Sequence, residues 1–337
     1  MEFSVVIPSR DRPKQVVSCL ESIIRMFSLT ALSYELIIVD DGSQSNLKQG
    51  YLDLVSVHNV NLLNSGGRGP SAARNLGALK SLGKWIYFID DDVVMDEDSL
   101  LWWSERHLPS AAGYQGVTKV NGSPDWSEVQ ASKTDFIDGF GSGNIIYRRD
   151  LFLQLGGFDE AYFLTTFGIH FREDTDLGLR FLRNGHELPV VDQMSAKHPP
   201  KEQKDPWFLL NDARKYFLEP YFKIRNPEAS LWIGSAFTKG RLGTYQLRGA
   251  ISLLFVSLIP FLKPLWPVVP IILLGLYILL SGLIFRGIKL RNNFWRYAPA
   301  LLILYPLVHG FSYLAGFIFG PRKPKLIEKV VTEFKGE

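Results

Sequence analysis

Three adjacent carboxylates, Asp90, Asp91 and Asp92, follow the apolar run Trp85-Ile86-Tyr87-Phe88-Ile89. Like charges so close repel, so such a triplet is stable when solvated or when a cation neutralises it. Hard divalent ions such as Mg2+ and Mn2+ take oxygen ligands, often one or two carboxylates plus substrate phosphates. If the strand ran on through the triplet, Asp90 and Asp92 would share a face and Asp91 would point away. A solvated acidic turn and a metal site both remain open here. The stretch Gly66-Gly67-Arg68-Gly69-Pro70, leading into Ala72-Ala73-Arg74-Asn75, also has two readings. It is a flexible loop before a helix, or a backbone and arginine cradle for a diphosphate. Further on, Arg172-Glu173-Asp174-Thr175-Asp176-Leu177 opens an amphipathic helix through Leu177, Leu179 and Leu182. Asp174 is there either a helix-start charge favoured by the macrodipole or a positioned base.

The elements that must hold these groups alternate. Val5-Val6-Ile7, Glu35-Leu36-Ile37-Ile38-Val39, Val60-Asn61-Leu62-Leu63 and the run 85–89 read as strands. Helical patterns fill 13–27 and 70–82. Continuous apolar strands separated by helices predict a parallel sheet buried on both faces, and such sheets bind ligands at the carboxyl ends of their strands. The polar clusters fall there: Arg10-Asp11-Arg12, Asp40-Asp41, Ser65-Gly66-Gly67-Arg68 and the acidic triplet.

The chain has 337 residues, more than one typical domain, and its 46% apolar content excludes a disordered chain. Its net charge of +3 hides an asymmetry: residues 239–337 carry 13 Lys/Arg against 3 Asp/Glu. These basic residues flank apolar runs rather than forming a stripe, which argues against nucleic-acid binding. A single cysteine, Cys19, excludes an internal disulfide and fits a reducing compartment. The N-terminal residues predict no secretory signal peptide. Residues 266–285 and 297–320 contain no charged side chain, and a 20-residue helix spans ~30 Å, the thickness of a bilayer core. A shorter apolar run, 249–265, is closed by Lys263-Pro264. Arg286, Lys289, Arg291 and Arg296 place their loop on the cytoplasmic side by the positive-inside tendency. Run 297–320 then either spans or is re-entrant. Residues 207–222 hold six aromatics in sixteen positions and read as an interfacial segment or as a helix packed on the soluble part.

Taken in order, the motifs resemble those of family 2 glycosyltransferases. They are Pro8-Ser9-Arg10-Asp11-Arg12-Pro13, Val39-Asp40-Asp41-Gly42-Ser43, Ala73-Arg74-Asn75-Leu76-Gly77 and Phe88-Ile89-Asp90-Asp91-Asp92. Gly141-Ser142-Gly143-Asn144, Gly156-Gly157-Phe158-Asp159-Glu160 and Glu173-Asp174-Thr175-Asp176-Leu177 follow. The resemblance covers about residues 3–198. Two departures stand out: Asp11 occupies a position usually held by Asn, and the Gln-x-x-Arg-Trp motif of processive synthases is absent.

The resemblance implies a GT-A-type, Rossmann-like mixed α/β sheet flanked by helices. It implies a nucleotide-sugar donor and a Mn2+ or Mg2+ cofactor. Ser9 and Asp41 would meet the nucleotide base, with Pro8, Arg10 and Arg12 beside them. Gly67, Arg68, Arg74 and Asn75 would lie near the diphosphate. Asp91, Gly143, Asn144 and Glu173 would line the substrate side. Asp90, Asp92 and His198 would serve the metal, and Asp174 would be the catalytic base of an inverting transferase.

The resulting expectation is a membrane-attached glycosyltransferase, with a UDP-type donor and a lipid-linked or cell-surface glycan hydroxyl as acceptor. It would sit in the inner membrane with a cytoplasmic catalytic domain over 1–205. Interfacial helices would follow over 206–248, then membrane runs 249–265, 266–285 and 297–320, then a basic tail over 321–337. A polyprenyl-phosphate sugar synthase, a sugar-nucleotide pyrophosphorylase and a non-catalytic membrane scaffold are the alternatives.

Overall fold

The computed structural model describes residues 1–108, 110–120, 140–199, 208–227, 229, 275 and 298–327. They divide into two units, one of Met1–Pro200 with Lys323–Glu337 and one of Lys201–Arg322.

The first unit begins with β1 (Phe3–Ser9), α1 (Pro13–Ser28), β2 (Tyr34–Asp40), α2 (Lys48–His58), β3 (Asn61–Asn64), α3 (Pro70–Lys80) and β4 (Trp85–Ile89). It continues through β5 (Val94–Met95), α4 (Trp103–Arg106), β6 (Gly113–Val120), β7 (Asn144–Arg148) and α5 (Arg149–Gln154). Then come β8 (Phe163–Leu164), β9 (Ile169–His170), α6 (Glu173–Arg183) and β10 (Val190–His198).

Eight strands form one sheet in the order β3-β2-β1-β4-β7-β6-β10-β5. The first four neighbours are parallel, as the apolar runs predict. Beyond β4 the sheet turns mixed, because β7 pairs antiparallel with both β4 and β6. Side chains alternate across it: Val5 and Ile7 join the core under α1, whereas Val6 joins the core with α5 and α6. Helix α1 starts on Pro13, where a missing N–H costs nothing, and buries Val16, Leu20, Ile23 and Phe27 at helical spacing. Helix α3 stops at Lys80, short of the predicted 82, because Ser81 is extended.

The sequence marks 321–337 only as a basic tail. Its described residues 323–327 belong to the first unit, with Ile327 buried among Phe152, Phe158 and Leu151. The first unit is therefore built from two stretches separated along the chain.

In the second unit, α7 (Phe208–Arg214), a 3-10 turn (Lys215–Leu218) and α8 (Glu219–Arg225) pack on α9 (Ala298–Phe319). Residues 207–222 had two readings, and from 208 on they pack as helices within this unit. Among the described residues, no helix is long and apolar enough to cross a membrane. Run 297–320 forms α9 over Ala298–Phe319 and carries His309, Ser312 and Tyr313 among its apolar residues. His309 is buried on Tyr216, with ring centroids 4.0 Å apart. The predicted runs 249–265 and 266–285 lie outside the described residues.

Candidate active site

The loops after β1 and β2 are tied to each other. Asp11 adopts a φ of 58°, a left-handed conformation that is uncommon for a side-chain-bearing residue. Its backbone N–H donates to Ser43 Oγ at 2.7 Å, and its carboxylate accepts from the Gln44 amide at 2.8 Å. Asn at this position could accept the same amide, so the departure from the family motif keeps the cross-link. Ser9, buried at the end of β1, donates to Asp91 Oδ2 at 2.6 Å and shares a hydrogen bond with the Tyr51 hydroxyl at 2.8 Å. The Arg12 amide donates to the same hydroxyl at 3.0 Å. Pro8 is buried within β1, while Arg10 is exposed and lies 3.8 Å from Asp11.

Asp41 holds the glycine-rich loop. Its carboxylate accepts from Ser65 Oγ at 2.6 Å and from the Gly69 amide at 3.0 Å. Gly42, at a φ of 74°, lets that loop approach, since a Cβ there would sit 2.8 Å from the Gly67 nitrogen. Gly67 is thereby brought beside the β2 loop. Arg68 pairs with Glu160 at 2.8 Å, and Asn75 exchanges hydrogen bonds of 2.9 Å with the Phe158 backbone in both directions.

The acidic triplet does not continue β4. The strand ends at Ile89, and the Val93 amide closes a turn on the Asp90 carbonyl at 3.1 Å. The strand-based expectation that Asp90 and Asp92 share a face therefore fails. Asp91 and Asp92 instead converge on Arg12 Nη1, at 3.1 and 2.9 Å, while Asp90 pairs with Arg74 at 2.5 Å. Burial pushes the Asp91 carboxyl up to about 6, against the Ser9 hydrogen bond and the Arg12 charge. Burial acts on Asp92 in the same direction, but His198 and Arg12 outweigh it and hold its carboxyl below the ordinary value.

His198, at the end of β10, is brought beside Asp92 by the antiparallel pairing of β10 with β5. Its Nε2 lies 3.3 Å from Asp92 Oδ1, and its Nδ1 is 2.6 Å from the Pro199 carbonyl. A carbonyl only accepts, so Nδ1 carries a proton. In neutral imidazole Nε2 is then bare and faces a carboxylate, an arrangement that needs either a proton or a cation between the two groups. No three His, Cys, Asp or Glu side chains among the described residues form a metal cage. Asp92 and His198 instead offer two donors, which suits an ion that completes its shell with substrate phosphates and water. Strand β10 is anchored beside them through Lys197, paired to Asp96 at 2.5 Å.

Asp174 lies in the first turn of α6, where Leu177 and Leu179 bury the helix as predicted. Arg172 precedes the helix with a φ of 76° and stacks on the Phe171 ring at 4.6 Å. Glu173 is buried beside it. Burial, then the Glu173 charge, pushes the half-buried Asp174 up to about 6, although Thr175, Arg172 and Arg74 oppose the shift. Arg74 thus acts on both sides: it pairs with Asp90 and its field reaches Asp174. Gly143 joins this region because its carbonyl accepts from the Asp90 amide at 3.2 Å. Asn144 is buried, donating to the Met194 carbonyl at 3.0 Å and accepting from the Tyr87 hydroxyl at 2.8 Å, and so links β7 to β10 and β4.

Sequence reasoning missed Tyr51 and Arg180, and gave Glu160 and Asp176 no role within the motifs that contain them. Tyr51 ties Ser9 to Arg12 from a helix with no sharp apolar face, so nothing in its spacing marks it. Arg180 pairs with Asp176 at 2.9 Å and donates to the Gly157 carbonyl at 2.6 Å. Its i,i+4 spacing from Asp176 was the available signal.

An open mixed α/β sheet with acidic, glycine-rich and arginine-bearing loops at its carboxyl edge defines a GT-A-like fold. In keeping with this, the structure resembles that of mannosyltransferase PcManGT from Pyrobaculum calidifontis, solved in complex with GDP-Man and Mn2+. The TM-score is 0.59 at 13% identity, over 93% of this chain and 87% of that one. Residues 4–156 match the family model Glycosyl transferase family 2. An uncharacterized glycosyltransferase of Haemophilus influenzae is 26% identical over 202 residues, covering 56% of this chain and 64% of the relative. A glucosyl-dolichyl phosphate glucuronosyltransferase of Haloferax volcanii is 28% identical over 186 residues, covering 47% of this chain and 56% of the relative. The chain thus spans less than two thirds of either relative's length.

Proposed function

We propose that the chain transfers a sugar, with inversion, from a nucleoside-diphosphate sugar to a hydroxyl of a lipid-linked or cell-surface glycan. The observation that carries this reading is the pair of carboxyl environments on either side of Arg74: the acidic turn, where Asp92 is held below its ordinary value, and Asp174 near 6. Displacing a nucleoside diphosphate from an anomeric carbon needs the leaving phosphates neutralised and the attacking hydroxyl deprotonated.

Asp92 and His198 would hold a divalent ion, which when bound supplies counter-charge to the leaving diphosphate. Arg68 and Arg74 add positive charge on that side, and Asp91 orients Ser9 and Arg12. Asp174 takes the acceptor proton as the oxygen attacks. One base opposite the leaving group gives a single displacement and hence inversion. Water occupying the acceptor position would produce slow donor hydrolysis by the same route.

The acceptor class is supported by the likeness to the Haloferax glucosyl-dolichyl phosphate glucuronosyltransferase. Membrane attachment, with the catalytic unit on the cytoplasmic face of the inner membrane, rests on the uncharged runs 266–285 and 297–320 and the basic residues between them. Titrating UDP- and GDP-sugars with and without Mn2+ in a thermal-shift assay tests the donor reading, because a bound donor stabilises the folded state by mass action. No shift with any nucleotide sugar, with metal present, would contradict it.

A further inference from the structure

Residues 323–327 follow α9 in sequence, yet they form a strap on residues 156–160 of the first unit. The Ile327 amide donates to the Gly156 carbonyl at 2.9 Å, and the Glu160 amide donates to the Lys325 carbonyl at 3.1 Å. The Lys325 amide donates to Asp159 Oδ1 at 2.8 Å. Gly156, at a φ of 84°, permits the approach, since a Cβ there would lie 3.0 Å from the Leu326 Cβ. Ile327 is buried in the core, whereas the Lys325 side chain is exposed.

The gripped loop is the one that holds the arginine side of the site. Glu160 pairs with Arg68 at 2.8 Å and accepts from Asn75 at 3.2 Å. The Phe158 backbone fixes the Asn75 amide, and the Phe158 ring lies under the Arg74 guanidinium at 5.7 Å. Each of these contacts needs residues 156–160 in one conformation. The strap supplies three hydrogen bonds and a buried side chain that hold it, from more than 160 positions further along the chain.

We propose that residues 323–327 are a positioning element of the donor site, holding the 156–160 loop so that Arg68, Arg74 and Asn75 meet the diphosphate. This rests on the donor reading given above. It also means that a fragment ending before 323 lacks part of the catalytic unit.

The test uses the full chain with three substitutions. Lys325→Pro removes the amide that reaches Asp159 without touching a buried side chain. Ile327→Asp places a charge at a buried position and should undock the strap. Val57→Ala, at an exposed position on α2 away from the strap and the site, is expected to behave as the parent chain. Hydrogen exchange is followed by mass spectrometry over residues 66–76 and 156–162, with β1 and β4 as internal references. In Lys325→Pro and Ile327→Asp, both regions should exchange about tenfold faster while the reference strands hold. Calorimetric titration with UDP and GDP plus Mn2+ should show about tenfold weaker binding of whichever nucleotide the parent binds, and turnover at saturating donor should stay within about twofold. Unchanged exchange over 66–76, or unchanged nucleotide affinity in both variants, would overturn the proposal. A parent chain that binds neither nucleotide would contradict the donor reading instead, and the exchange over 66–76 would then decide the strap by itself.

Discussion

Asp92 in the acidic turn and Asp174 at the start of α6 are shifted in opposite directions, whereas Asp91 of the same turn rises to about 6 as Asp174 does. Asp92 loses solvation in the folded chain, but His198 and Arg12 more than compensate and hold its carboxyl below the ordinary value. Asp174 loses solvation too, and its nearest charged neighbour in sequence, Glu173, has the same sign. Arg172 and Arg74 only partly offset this, and the carboxyl rises to about 6. Environments that drive two carboxyl groups apart in this way equip one as a permanent anion and the other as a proton acceptor near neutral pH. The difference follows from what each loop faces: Asp92 lies beside a histidine on the neighbouring strand, whereas Asp174 is packed into a helix start beside another acid.

The comparison breaks most visibly at Asp92. Asp92→Ala, or removal of divalent ions by a chelator, is expected to abolish turnover and weaken donor binding strongly, because the diphosphate loses its counter-charge. Calorimetry with and without chelator checks this, and equal donor affinity in all conditions would remove Asp92 from the role.

The Asp174 side predicts a pH profile. A base must be ionised, so kcat/KM should rise with pH through an apparent pKa of about 6 and level above it. A profile flat from pH 5 to pH 8, at constant donor occupancy and with the fold intact, would mean that no group near 6 controls the chemistry.

Stability should show the same group with a smaller amplitude. The folded carboxyl titrates near 6 and an unfolded one near 4, so the native state binds more protons between these values and stability falls as pH rises through that window. Above pH 6 the penalty is complete. Asp174→Asn should therefore raise stability by about 1–2 kcal/mol at pH 7 and by little at pH 4, as read from urea melts at the two pH values. A variant less stable than the parent at pH 7 would contradict the burial argument.

Smallest is the effect expected at Tyr51. Tyr51→Phe removes the hydroxyl shared by Ser9 and the Arg12 amide and should cost about 1 kcal/mol of stability with a few-fold loss of donor affinity.

Much of this arrangement was legible in the sequence because parallel strands buried on both faces are continuous apolar runs, and each ends in a cluster of polar residues. The runs at 5–7, 35–39 and 85–89 fall within β1, β2 and β4, and the helix opening at Asp174 starts where its leucines place it. The orientation of the acidic triplet was not legible. Alternation along a strand says nothing once the strand has ended, and only the closed turn shows that Asp91 joins Asp92 on Arg12. Tyr51 and Ile327 were hidden for a different reason. Their roles depend on contacts between distant segments, which no local pattern encodes.

Donor hydrolysis in a single turnover, with the parent and Asp174→Asn compared at matched donor occupancy, tests the central claim most directly. It needs no knowledge of the acceptor, because water takes the acceptor position and release of nucleoside diphosphate is the readout. The account predicts a rate lower by ~10²–10⁴ in Asp174→Asn with donor affinity nearly unchanged, the signature of a lost base rather than a lost contact. A rate close to that of the parent would contradict the assignment of Asp174 as the base.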